Sequence, residues 1–295
     1  VTGSVDLRGG DWLDDNRANW DERVPIHVAS DFYDQDPLRA GGSVLDPIAR
    51  AGVDRLFPDG LAGVRILHLQ CHFGSDTLSL ANLGASVVGL DFSRAAVEEA
   101  RRMAAEIGLD GRARFVEANV YDARQELPDP GSFDLVFTTW GTIGWLPDVA
   151  EWARIVAWFL KPGGRLYFAD GHPAAYVFDG EGGAGGMPTF QYPYVNADPD
   201  VIDDPSDYAD ADAKLVNDRT WEWVHPLDEI MGALRAAGLT IDDFVEHYEV
   251  PWQIFPIAVP KGDGMFGWPA ERWLPLSYEL VASAPTEGPA DSADS

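Results

Sequence analysis

Residues 64–93 read VRILHLQCHFGSDTLSLANLGASVVGLDFS. An apolar run enters a tight turn containing Gly74, a helix-period segment follows, and a second apolar run stops at Asp91. A carboxylate at the end of a second strand can accept hydrogen bonds from both hydroxyls of a ribose. Asp91 lies 17 positions after Gly74, which suits this use, and an acid that simply ends a strand at the surface is the plainer alternative. The G-x-G-x-x-G pattern of dinucleotide sites is absent, because Gln70 and His72 stand where glycines are expected. Close approach of a pyrophosphate is thereby disfavoured, and a nucleoside without phosphates fits better. Cys71 is the only cysteine, so no intrachain disulfide can form, and zinc-ligand spacing is missing around it. No metal is expected there, and the thiol reads as a small filler.

Alternating elements must position these residues. Apolar runs at 64–70, 86–90, 113–117, 133–139 and 165–169 predict strands. Helix-period segments separate them at 75–83, at 94–107 and from Pro147 onward. Ser93 is a candidate N-cap, Gly84 and Gly108 are stops, and Trp152, Ile155, Val156 and Phe159 share one helical face. This rhythm implies right-handed βαβ units in a mostly parallel, Rossmann-like doubly wound α/β sheet. A helix opened by Pro226 and stopped at Gly238 precedes strand-like segments at 240–250 and 274–282, an expected antiparallel pair closing the sheet. Residues 180–214 are rich in Gly, Pro and Asp and read as an insertion, with 190–195 and 218–224 expected to pair as a ribbon above the sheet.

Charge narrows the partners. The 295 residues carry 49 Asp and Glu against 21 Lys and Arg, a formal net charge of −28. Such a surface repels phosphate backbones and anionic headgroups, so neither nucleic acid nor membrane is an expected partner. No basic-then-apolar opening and no apolar run of spanning length are visible, and a cytoplasmic location is expected.

The layout resembles class I S-adenosylmethionine-dependent methyltransferases over most of residues 12–283. The resemblance is carried by the turn around Gly74, by Asp91, by Glu117-Ala118-Asn119-Val120 and by Leu160-Lys161-Pro162-Gly163-Gly164. More narrowly, Asn16-Arg17-Ala18-Asn19-Trp20-Asp21-Glu22-Arg23, the LHLQCHFG run at 67–74 and His225-Pro226-Leu227 resemble a bacterial small-molecule subgroup. In that subgroup this run replaces the acidic, glycine-rich first motif. The resemblance implies a single domain over 1–283: an N-terminal lid (1–60), a cofactor-binding core (61–170), a substrate cap insertion (171–225) and a C-terminal helix and strand pair (226–283). A disordered tail (284–295) would follow.

By the same resemblance, S-adenosyl-L-methionine is the cofactor and S-adenosyl-L-homocysteine the product. Backbone around Gln70 to Gly74 would approach the methionine part, Asp91 would hold the ribose, and Phe92 would pack on the adenine. Asn119 would face the adenine amino group and Val120 would donate its backbone N–H. Thr139 and Trp140 would line the methionine end, with Tyr33 a candidate ligand to its carboxylate. A base is needed where a neutral acceptor must lose a proton. His172, Asp170 and His225 are the candidates, and each has a structural alternative as a turn or cap residue.

Aromatic residues make up 12% of the chain and cluster late. Tyr192, Trp221, Trp223 and Trp252 are the expected walls of a pocket for a flat or greasy specialised metabolite, methylated on O, N or C. Carbon methylation of an isoprenoid diphosphate with magnesium is the alternative within the class. A cyclase-like or non-catalytic cofactor-binding protein is the alternative outside it. A homodimer is left open.

Overall fold

The computed structural model describes residues 5–180, 182–183, 186–196 and 198–286. The central motif folds as its periodicity predicts. β1 (Arg65–Leu69), β2 (Ser86–Asp91) and β3 (Ala113–Glu117) run parallel beside β4 (Phe133–Thr139) and β5 (Leu160–Gly171). Helices α4 (Ser75–Asn82), α5 (Arg94–Glu106) and α7 (Val149–Phe159) join them. Ser93 caps α5 by accepting the N–H of Ala96. Asp148 does the same for Glu151 at the start of α7. The predicted face of α7 is completely covered, with Trp152, Ile155, Val156 and Phe159 all at 0% exposure.

Thr240–His247 (β8) and Ser277–Ser283 (β12) complete the sheet, each pairing antiparallel, in the order β3-β2-β1-β4-β5-β12-β8. Helix α8 (Leu227–Ala236) precedes β8 as expected. The order reverses between β1 and β4, which opens a crevice at the carboxyl edge, where open α/β sheets bind ligands. Register brings Asp91 beside Glu117 and Thr139 beside Ala169, so the ends of four strands lie on that edge.

The remaining elements pack around the sheet and its connections. α1 (Asp11–Ala29) packs against α5 and against β7 (Arg219–Glu222). It is followed by a 3-10 turn (Asp31–Tyr33), α2 (Asp36–Arg39) and α3 (Pro47–Leu56). α6 (Ala123–Glu126) follows a 3-10 turn after β3. Two expectations change here. The partner of β7 is β6 (Asp200–Asp203) and not residues 190–195, because Phe190 instead bridges and stacks on Phe178. β9 (Glu249–Val250) leaves the main sheet to join β10 (Val259–Gly262) and β11 (Met265–Gly267) in a small sheet of its own. Most of the expected tail lies outside the described residues. Among the described residues no helix is long and apolar enough to cross a membrane.

Candidate active site

The turn after β1 adopts the backbone that glycines would give it, without the glycines. Gln70 and His72 hold φ of 57° and 52°, and Gly74 holds 83°. Left-handed backbone costs an L-residue on the order of 1–2 kcal/mol, so tertiary contacts must enforce it. They are visible. The N–H of Cys71 donates to Leu90 O, the N–H of His72 donates to Oδ2 of Asp91 at 2.7 Å, and Nε2 of Gln70 donates to Thr142 O at 2.8 Å. At Gly74 a Cβ would meet the ring of Phe115 at 2.7 Å and Ala100 at 3.0 Å, so α4 and the sheet close only over glycine.

Asp91 receives the N–H groups of His72 and of Ser93, one on each oxygen. Each oxygen keeps a second lone pair for an outside donor. Burial pushes this carboxyl up to about 6 against those hydrogen bonds. Across the turn, Asp76 in the first turn of α4 accepts from Oγ1 of Thr139 at 3.2 Å. Burial, with Asp46 nearby, pushes Asp76 up to about 7. Oε1 of Gln70 is buried with no hydrogen-bond partner. The edge therefore offers a carboxylate for paired hydroxyls and, beside the turn, an orphaned oxygen and acids that suit an ammonium group. This donor set fits a nucleoside carrying an amino acid.

The other expected contacts are distributed along the same edge. Trp140, with φ of 47°, donates from Nε1 to Asp46 at 2.6 Å. Oδ1 of Asn119 accepts from Tyr121 N while its amide donates to Leu7 O at 2.8 Å, so the N-terminal segment lies over the end of β3. Val120 is buried and Phe92 packs on the main core. Tyr33 stacks on His27 and shares a 2.6 Å hydrogen bond with the hydroxyl of Tyr208.

The three expected bases occupy separate networks, and no hydrogen bond or ion pair joins any two of them. Asp170 accepts from the backbone N–H of Gly141, Thr142, Ile143 and Gly171 at 2.7–3.2 Å, which makes it the anchor of the loop after β4. His225 meets Leu146 O at 2.7 Å and Glu229 at 3.1 Å, fixing the start of α8. His172 accepts from Ala174 N and lies 3.3 Å from Glu246 on β8, on the antiparallel side of the sheet.

The four expected pocket aromatics do not form one wall. Trp221 donates to Asp15, and Trp223 meets Trp12 edge-on, so both belong to the α1 contact. Trp252 meets Trp140 edge-on and borders a small core with Phe255 and Trp268. Tyr192 pairs with its neighbour Gln191. The rings that do gather at the turn centre on the N-terminal helix: Trp20 lies edge-on to both His72 and Trp145, with His27, Tyr33 and, from the insertion, Tyr208 beyond. The Asn16 to Arg23 resemblance and the expected N-terminal lid with Tyr33 pointed to that helix. Cys71 is buried against Gly89 and burial raises its thiol, which suits a filler. Among the described residues no cluster could hold a metal ion.

Residues 66–164 match the family model described as a methyltransferase domain. The matched segment runs from β1 to the start of β5 and holds the Gln70–His72 turn, Asp91, Asn119 and Thr139. The chain is 35% identical over 118 residues to a ubiquinone biosynthesis O-methyltransferase of Ralstonia nicotianae, covering 40% of this chain and 48% of that one. It is 32% identical over 152 residues to the protein of the same name from Xanthomonas euvesicatoria pv. vesicatoria, covering 51% and 61%. The chain thus spans about half the length of the curated relatives it matches. Among solved structures it resembles an S-adenosylmethionine-dependent methyltransferase from Mesorhizobium loti, with a TM-score of 0.56 and 24% identity over 80% of this chain and 96% of that one. A second, from Clostridium acetobutylicum, gives 0.54 and 14% over 80% and 90%. The sheet and the helices around it therefore have the fold of S-adenosylmethionine-dependent methyltransferases.

Proposed function

We propose that this protein transfers a methyl group from S-adenosyl-L-methionine to a small, neutral, aromatic or hydrophobic metabolite. The observation that carries the reading is the left-handed turn at Gln70 and His72 locked onto Asp91, within the segment that matches the methyltransferase-domain model. Asp91 would hold the ribose, and Oε1 of Gln70 with Asp76 would receive the methionine ammonium. Phe92 and Asn119 would flank the adenine, with Tyr33, Thr139 and Trp140 at the methionine end. The sulfonium supplies an activated methyl group, and the chain supplies orientation, worth roughly 7–11 kcal/mol of barrier.

The charges at the edge favour a neutral acceptor over a diphosphate. Arg23, whose charge acts on His72, is already paired with Asp207, and Arg219 is paired with Asp203. Arg272 lies over the Tyr248 ring. A diphosphate would have to displace these partners or bring its own metal. Calorimetry with S-adenosylhomocysteine and with NADH tests the cofactor reading: tight binding of the first and none of the second is expected, and the reverse result would refute it. Mass spectrometry of phenolic, amine and isoprenoid diphosphate acceptors after turnover then identifies the class.

A further inference from the structure

Three side chains from distant parts of the chain form a hydrogen-bonded line at the turn. Asp207, in the insertion, has a fully covered side chain. Its Oδ1 receives the N–H groups of Ala209 and Asp210 at 2.8 and 3.2 Å, and its Oδ2 receives Nη1 of Arg23 at 2.9 Å. All of these groups donate and none can accept, so the carboxylate acts as an acceptor throughout. Oδ2 also lies 3.0 Å from Nε2 of His27, which must then carry a hydrogen and donate it. Nδ1 of His27 keeps its lone pair and faces Nε2 of His72 at 3.3 Å. Nε2 of His72 therefore carries the hydrogen of that ring in turn. Burial lowers His27 to about 4 and His72 well below its ordinary range, so both rings are neutral at pH 7. Nδ1 of His72 is left with a lone pair and no hydrogen-bond partner among the described residues. His72 is half-buried as a residue, and it sits in the turn that leads into α4.

We infer that Nδ1 of His72 takes the proton from the methyl acceptor, with His27 and Asp207 as positioning residues that fix its tautomer. The inference rests on the methyltransferase reading above. As the acceptor oxygen or nitrogen bonds to the methyl carbon, its X–H pair becomes its lone pair and the proton passes to Nδ1. The pair of the breaking S–C bond stays on sulfur. The resulting imidazolium donates through Nε2 to His27, whose own N–H points at Oδ2 of Asp207, so the new charge is stabilised along the line.

Two-bond ¹⁵N–¹H spectra of the full chain with ¹⁵N-labelled histidine report each tautomer directly. The expected result is Nε2–H for both His27 and His72, and an Nδ1–H tautomer at His72 would overturn the proposal. His72→Asn both assigns the signal and removes the imidazole, while asparagine tolerates the left-handed backbone. Transfer to catechol, used as the acceptor probe, should fall on the order of 10²–10⁴-fold. Binding of S-adenosylhomocysteine is measured alongside so that rates are compared at saturating cofactor, and a variant within about 3-fold of the parent rate under those conditions would also overturn the proposal. Asp207→Asn cannot present oxygen to both of its donor pairs, and the single His72 tautomer should be lost. A parent protein that binds no S-adenosylhomocysteine refutes the methyltransferase reading instead, with the spectra still judging the line. If the parent binds it yet leaves catechol unmodified, the His72 tautomer alone decides.

Discussion

The backbone N–H of His72 donates to Oδ2 of Asp91 at 2.7 Å, so the acid that ends β2 also holds the turn that leaves β1. Ser93 donates to the other oxygen at 2.9 Å. An amide in this position has one oxygen and must turn its NH₂ toward one of two N–H donors. Asp91→Asn should therefore lose affinity for S-adenosylhomocysteine by about 30-fold or more and lower stability by about 1–3 kcal/mol. Titration calorimetry and urea unfolding measure the two effects separately. A loss of affinity with unchanged stability would mean that the turn does not depend on this bond.

Asp76 makes stability and binding depend on pH. Its carboxyl is raised to about 7 in the fold, against about 3.9 in the unfolded chain. Between those values the folded state binds the extra proton, so this residue makes stability fall as pH rises. Asp76→Asn removes that dependence. The variant should gain stability relative to the parent by up to about 1.4 kcal/mol per pH unit from about pH 4 to 7, and level off above. If Asp76 receives an ammonium group, binding of S-adenosylhomocysteine near pH 7 should also release part of a proton. Calorimetry in two buffers of different ionisation enthalpy detects the release, which should vanish near pH 8.5, where the carboxyl is already ionised.

Asp170 separates an anchor from a base. Its oxygens receive four backbone N–H groups of the loop after β4 and of Gly171. Asp170→Asn should cost about 2–4 kcal/mol in urea unfolding, because two of those donors would face an NH₂ group. A general base would behave differently, with activity lost while the unfolding midpoint held.

Gln70 sits at φ 57°, where glycine is unstrained, yet its amide bridges β1 to the β4 loop at Thr142. Gln70→Gly exchanges roughly 1 kcal/mol of backbone strain for a hydrogen bond of similar size. Stability should hold within about 1 kcal/mol. Affinity should fall, because the unpartnered Oε1 is gone. Unfolding and binding measured on the same sample test both halves.

Local pattern determined a large part of this protein. β3 and β4 span the residues expected, and Ser93 caps α5, because strand alternation, helical spacing and capping act over a few residues and are written in order along the chain. Asp91 and the departures at Gln70 and His72 were equally legible, since a motif on one βαβ unit keeps its spacing. The tertiary structure decided which side chains meet. His27 and His72 are 45 positions apart and Asp207 is 180 from His27, and no local period links them. The late aromatics drew attention by number, but packing takes Trp223 into the α1 contact and Trp252 to the edge of a small separate core. Asp170, His172 and His225 carry chemistry by type alone. Asp170 and His225 are held by backbone groups more than 25 positions away, the N–H groups of Gly141 to Ile143 and the carbonyl of Leu146, and those arrive only when the chain folds.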